Sequence, residues 1–94
     1  MSDSTLYLVQ STFAHTDASI NTLLQLYANG DAVVLMGDAV LFIEDVRLKN
    51  LTNIYVLEND AEILADTLPS SIQLMNYAEF ADLVLNFTRS ISLK

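Results

Sequence analysis

The sequence contains no cysteine and no tryptophan, and it has only one proline and two glycines. Without cysteine the chain can form no disulfide, build no thiolate-ligated zinc or iron–sulfur site, and carry no persulfide. Basic residues are also scarce, since four Lys and Arg stand against twelve Asp and Glu, a net charge of −8. Because nucleic-acid affinity rests largely on Lys and Arg that neutralise phosphates, direct binding of DNA or RNA is not expected.

Long hydrophobic runs are missing as well. The longest apolar stretch, residues 32–43, is interrupted by Gly37 and Asp38 and is shorter than the ~20 residues of a membrane-spanning helix. The N-terminal Met1-Ser2-Asp3-Ser4 lacks the positive charge that opens a signal peptide. We therefore expect one cytoplasmic domain over residues 1–94. Its 52% apolar and 17% charged residues favour an apolar surface patch that is buried in an oligomer.

Apolar runs predict the strands of this domain. Four short runs read as strands buried on both faces, and they cover residues 6–9, 32–36, 54–57 and 72–75. A fifth, weaker strand is predicted near residues 90–93. Between the first two runs, apolar residues recur at helical spacing, at Ile20, Leu23, Leu24, Tyr27 and Ala28. Thr16 or Asp17 would cap this first helix, and Asn29-Gly30 would stop it.

The later helices are predicted from capping signals. Asp38 is a candidate cap for a short helix over residues 39–44, whereas residues 45–53 read mostly as loop. Asn59 with Glu62, and Asn76 with Glu79, have the spacing of capping boxes. The first box would open a helix closed by Pro69 and the serines at 70–71. The second would open a helix with Phe80, Ala81, Val84 and Phe87 on one face.

Alternating strands and helices, with strands that are apolar throughout, predict an α/β fold. We expect a small three-layer domain with a mostly parallel sheet of about five strands and helices on both faces. Ligands of such sheets bind beyond the carboxyl ends of the strands. Polar residues there, Gln10, Ser11, Asp38 and Asp60, leave open a homo-oligomeric domain that binds a small ligand, although Asp38 and Asp60 more simply act as caps or turn residues.

Signals for catalysis are weak. No G-x-G-x-x-G or G-x-x-x-x-G-K motif is present, so phosphate binding has no support. His15 is the single imidazole, and an enzyme would have to use it with Ser11 or Asp17. We instead interpret His15 as an exposed loop residue, and we expect no catalytic residue, no cofactor and no metal ligand.

Four segments together resemble the TusB/DsrH family of the DsrE/DsrF/DsrH sulfur-relay superfamily. They are LYLVQS (6–11, followed by Phe13), GDAVVLMGDAV (30–40), IYVLEND (54–60) and YAEFADLV (77–84). The resemblance covers nearly the whole chain in order. It implies a non-catalytic subunit that assembles with TusC-like and TusD-like paralogues of the same fold and, through them, serves a TusE-like sulfur carrier. The pathway implied is persulfide transfer for 2-thiolation of the tRNA wobble uridine, or dissimilatory sulfur oxidation for a DsrH-like member.

The sequence departs from this family at three positions. Some members have a cysteine on the first helix, which the resemblance aligns with Leu23 of this chain. Family members tend to end with a His and a Trp, here aligned with Phe87 and Leu93. A chain without cysteine would be the structural subunit of the assembly. On apolar character alone, the predicted interface residues are Phe42, Ile43, Phe87, Ile91 and Leu93.

Overall fold

The computed structural model describes residues 4–62, 64, 69 and 71–94. Within these residues the chain forms one five-stranded sheet in the order β4-β3-β2-β1-β5, and every strand pairs in parallel with its neighbours. The strands are β1 (Thr5–Val9), β2 (Ala32–Leu35), β3 (Ile54–Leu57), β4 (Ile72–Met75) and β5 (Arg89–Leu93). The predicted α/β fold with a mostly parallel five-stranded sheet is confirmed, including the weak fifth strand.

Helices connect the strands. The α-helices are α1 (Phe13–Leu26), α2 (Glu58–Ala61) and α3 (Tyr77–Leu85). Two 3₁₀ helices, Gly37–Phe42 and Val46–Asn50, lie between β2 and β3. No helix in the described ranges is long and apolar enough to cross a membrane.

The two faces of the sheet are covered unequally, because alternate side chains of a strand point to opposite faces. The larger core lies on the α1 side and takes Tyr7 and Val9 from β1 together with Ile20 and Leu23 from α1. The 3₁₀ helices and α2 pack on that same core. On the other face a smaller cluster is buried around Leu6, Ala32 and Val34, and α3 is the helix that packs against it.

The first helix begins earlier than predicted. Thr12 is the residue before its first turn, so the prediction of a cap at Thr16 or Asp17 is wrong. Thr16 is buried inside the helix, where its Oγ1 donates a hydrogen bond of 2.7 Å to the carbonyl of Thr12. The apolar face is confirmed by the buried Ile20 and Leu23. The helix ends at Leu26, ahead of the predicted stop at Asn29-Gly30.

One predicted capping box is present and one is not. At α3 the Asn76 side chain accepts from the Glu79 amide at 2.8 Å, and the Glu79 carboxylate accepts from the Asn76 amide at 2.9 Å. The other prediction is wrong, since α2 already begins at Glu58 and Asn59 lies inside it. α2 ends at Ala61, and of the rest of the predicted helix and its end at Pro69 and residues 70–71, residues 63, 65–68 and 70 lie outside the described residues.

The segment between β2 and β3 contains more helix than predicted. Asp38 lies in the first turn of the first 3₁₀ helix, with Met36 in the capping position, so its predicted capping role is wrong. The predicted loop contains the second 3₁₀ helix, where the Asp45 side chain accepts from the Arg47 amide at 2.9 Å. A short polar side chain at this position supplies the acceptor that an exposed helix start requires.

Candidate subunit interface

Four of the five predicted interface residues lie on the α1 side of the sheet. Phe42 ends the first 3₁₀ helix, Ile43 follows it, and Ile91 and Leu93 lie on β5. Ile43 is buried in the core, whereas Phe42, Ile91 and Leu93 are half-buried and pack against that core. β5 forms one edge of the sheet, so one side of its backbone has no neighbouring strand among the described residues.

The fifth residue, Phe87, is separated from the others by the sheet. It follows α3 and packs half-buried against the smaller cluster. The five residues therefore do not form one continuous patch within a single chain. Phe42 is the member with an aromatic neighbour, because its ring centroid lies 5.2 Å from that of the exposed Phe13 on α1.

The polar residues at the carboxyl ends of the strands differ in exposure and in hydrogen-bond partners. Ser11 is turned inward, where its hydroxyl is hydrogen-bonded to that of Ser19 and donates to the carbonyl of Leu93 at 3.2 Å. Gln10 and Asp38 are exposed, and Asp60 is half-buried. A small cavity of about 30 Å³ lies at this edge, but its lining comes from the ends of β3 and β4 and not from these four residues.

His15 lies on the first turn of α1 and not in a loop as predicted, and its exposure is confirmed. Its Nδ1 atom is 2.9 Å from the Thr12 hydroxyl. In the described part of the chain no hydrogen bond joins His15 to Ser11, which bonds to Ser19, or to Asp17, which pairs with Arg47. The arrangement needed for general-base catalysis is therefore not assembled around this imidazole.

The Arg47 side chain links the second 3₁₀ helix to α1 through hydrogen bonds and an ion pair. Its guanidinium donates to Asp45 at 2.7 and 2.9 Å, to Asp17 at 2.8 Å and to Asn21 at 2.9 Å. The hydrogen bond from Arg47 lowers the pKa of the Asp45 carboxyl from 3.8 to about 2. Asp45 is also the better shielded acid, because its side chain is 18% exposed against 68% for Asp17.

This pairing predicts a loss of stability in acid. A carboxyl whose pKa is lower in the folded chain stabilises the fold fully above its unfolded pKa and loses that effect as the pH falls through the folded pKa. We expect the Asp45 contribution, about 1–2 kcal/mol, to disappear between about pH 4 and pH 2. Urea unfolding at several pH values, compared with Asp45→Asn, measures it. Equal pH dependence of the two proteins over that range would contradict the assignment.

The sequence predicted an apolar surface patch, but it did not identify the apolar side chains that are most exposed, and these mark further surfaces. The largest exposures among them are Leu85 at 82%, Val46 at 70% and Tyr77 at 59%. Leu85 and Tyr77 lie at the two ends of α3, whereas Val46 begins the second 3₁₀ helix on the opposite face of the sheet. Ala81, predicted on the inner face of α3, is also exposed, and Leu83 packs inward in its place.

Two larger clefts accompany these surfaces. One, of about 290 Å³, lies between the 3₁₀ helices and the start of β4 and is lined in part by Ile43, Lys49 and Ile72. The other, of about 250 Å³, runs between α3 and β4 and includes Tyr55, Leu74 and Leu83. Within the described ranges no cluster of His, Asp and Glu has an arrangement that could hold a metal ion.

The fold defines a small parallel α/β domain. Its candidate catalytic side chains, Ser11, His15 and Asp17, are not brought together in one site, whereas several of its large apolar side chains are exposed at the surface. The model of the family described as DsrH like protein matches residues 10–90 of the chain. The chain therefore belongs to the DsrH-like family, as the sequence resemblance predicted, and this membership indicates a sulfur-relay-related subunit. No curated protein matches the chain significantly.

Proposed function

We propose that this chain is a non-catalytic structural subunit of a TusBCD-like sulfur-relay complex in the cytoplasm. In this role it supports persulfide transfer for 2-thiolation of the tRNA wobble uridine. Its partners are TusC-like and TusD-like subunits of the same fold, and through them a TusE-like carrier receives the sulfur. The observation that carries the proposal is a DsrH-like family match over residues 10–90 in a chain without cysteine.

The chemistry of the chain supports a structural role. Persulfide is carried on a cysteine sulfur, so the sulfur must pass through a partner. A net charge of −8 suits a subunit that does not contact tRNA itself. The exposed Tyr77 and Leu85 are side chains that an obligate interface would bury. The predicted contacts through Phe42, Ile43, Phe87, Ile91 and Leu93 are part of this proposal.

A co-purification experiment tests the assembly. The chain is expressed with an affinity tag beside the TusC-like and TusD-like proteins of the same genome, and the purified material is analysed by native mass spectrometry. We expect a complex that contains all three chains. A tagged chain that elutes alone, with neither paralogue bound, would refute the proposal.

A second measurement tests the pathway. Deletion of the gene should remove 2-thiouridine from the tRNAs that carry it, as measured by mass spectrometry of tRNA nucleosides, and the wild-type gene should restore it. Unchanged thiolation together with impaired growth on reduced sulfur compounds would assign the chain to dissimilatory sulfur oxidation instead.

A further inference from the structure

Helix α3 is apolar on more than one side. Among its residues only Glu79 and Asp82 are charged, and the others are aliphatic or aromatic. Its inner side is accounted for, because Phe80, Leu83 and Val84 pack against the smaller core cluster. A helix that is apolar around most of its circumference is typical of a helix buried on both sides.

An adjacent, outward-facing side of α3 forms a second apolar stripe, here called the outer stripe and consisting of Tyr77, Ala78, Ala81 and Leu85. Tyr77, Ala81 and Leu85 follow one another at intervals of four, so they lie along one side of the helix, with Ala78 beside them. All four residues are exposed. The two alanines leave room for another helix to approach closely between the larger Tyr77 and Leu85.

Acidic side chains border the outer stripe. Helical spacing puts the exposed Asp82 and Glu79 along one edge of it. Near its N-terminal end, Glu58 and Tyr77 line the same small cavity. The basic residues of the chain belong to other elements: Arg47 and Lys49 lie on the second 3₁₀ helix, Arg89 begins β5 and Lys94 follows it.

The acidic border of the outer stripe favours a partner subunit over a second copy of this chain as the molecule that covers the stripe. A second copy of the chain, packed α3 against α3, would bring acidic borders together between two molecules that each carry a charge of −8. Like charges across an interface oppose association, whereas a basic border would be attracted. We propose that the outer stripe docks a helix of a partner subunit whose own apolar stripe is bordered by Lys or Arg. This inference rests on the proposed function, because the partner is taken to be a paralogous subunit.

The groove beside α3 fits the same occupant. Its volume is about 250 Å³, and its lining combines apolar side chains such as Leu83 with the carboxylates of Glu79 and Asp82. A long basic side chain can place its methylene groups along such a wall and its charge beside the acids. The stripe and the groove therefore present one surface that is complementary to an apolar and basic helix.

The test is binding of the full-length chain to its co-expressed TusC-like and TusD-like subunits. Leu85→Glu should raise the Kd for the complex about tenfold or more, because it puts a charge among the apolar side chains of the outer stripe. Val46→Glu is the matched control, since Val46 is 70% exposed on the other face, and it should leave the Kd unchanged. Asp82→Lys should also weaken binding, with a larger effect at low salt. Circular dichroism melts should show all three variants folded.

Each alternative occupant has its own outcome. Wild-type and Leu85→Glu chains that bind equally well would overturn the docking site while leaving the proposed function intact. A free chain that dimerises, with the dimer lost in Leu85→Glu, would assign the stripe to a second copy. Weakening by Val46→Glu alone would move the interface to the opposite face. A wild-type chain that binds neither paralogue would overturn both proposals.

Discussion

Replacing Asp31 by alanine is expected to lower the free energy of unfolding by about 3 kcal/mol. Asp31 is 4% exposed, and its two carboxylate oxygens accept hydrogen bonds from two backbone amides. One is the amide of Thr5 at 2.8 Å, and the other is the amide of Ala28 at 2.9 Å. An alanine would leave both amides without this acceptor, and the amide of the buried Thr5 lies where water reaches poorly, so its loss costs more than that of an exposed bond.

Asp31 matters because it joins three segments at the amino end of the sheet. Through Thr5 it holds the start of β1, and through Ala28 it closes the turn after α1. Its own carbonyl accepts from the Tyr27 hydroxyl at 3.0 Å. The same hydroxyl lies 2.8 Å from the carbonyl of Thr52, ahead of β3, so its single proton is shared between the two carbonyls. Loss of the carboxylate should therefore loosen the register of β1 against β2.

The variant Asp31→Asn distinguishes the contributions of the two hydrogen bonds to stability. The amide keeps one acceptor oxygen but turns an N–H₂ group toward the second backbone amide, so about half of the effect should remain. Urea unfolding of the wild type and both variants measures the differences, and amide exchange at Thr5 and Ala28 reports the bonds individually. Stability within 0.5 kcal/mol of the wild type for Asp31→Ala, on the order of an ordinary surface change, would contradict this role.

The sheet could be predicted from the sequence because its signals are local. Each of the runs at Leu6, Ala32 and Ile54 is apolar without alternation, as strands covered on both faces require. The run at Ile72 was predicted as a strand buried on both faces as well, but it contains Gln73 and is exposed at Gln73 and Leu74, because β4 is an edge strand. The α3 start was also readable, since both halves of its capping box lie within four residues of each other. Family membership was predictable from the ordered set of these same segments.

Features that depend on distant residues could not be predicted. Asp17 resembles a helix cap in sequence, but its partner is Arg47, and the two meet because the second 3₁₀ helix packs along α1. Thr16 was misread for a local reason, because a buried hydroxyl can remain inside a helix by donating to the carbonyl one turn earlier. The docking surface was missed because helical spacing alone does not show which of two apolar sides faces the sheet.

Burial at position 23 decides whether a cysteine there could carry sulfur. The resemblance aligns Leu23 with a first-helix cysteine of some family members. Here Leu23 is 0% exposed and packs in the main core. We expect Leu23→Cys to lower the free energy of unfolding by about 2 kcal/mol, because the smaller side chain leaves part of a cavity. The new thiol should also be unreactive, since burial among apolar groups disfavours the thiolate that performs the chemistry.

Thiol labelling of the variants decides this point. The thiol of Leu23→Cys should react with an aromatic disulfide about a hundredfold or more slowly in buffer than in denaturing urea, because labelling requires the helix to open. Leu26→Cys is the matched control, one turn further along α1 at a side chain that is 48% exposed, and it should react readily in both conditions. Fast labelling of folded Leu23→Cys would show that this part of α1 opens easily. In that case a single substitution could create a thiol able to carry sulfur at position 23. The structural role proposed for the chain would then rest only on its lack of cysteine, and not on the burial of position 23 in the core.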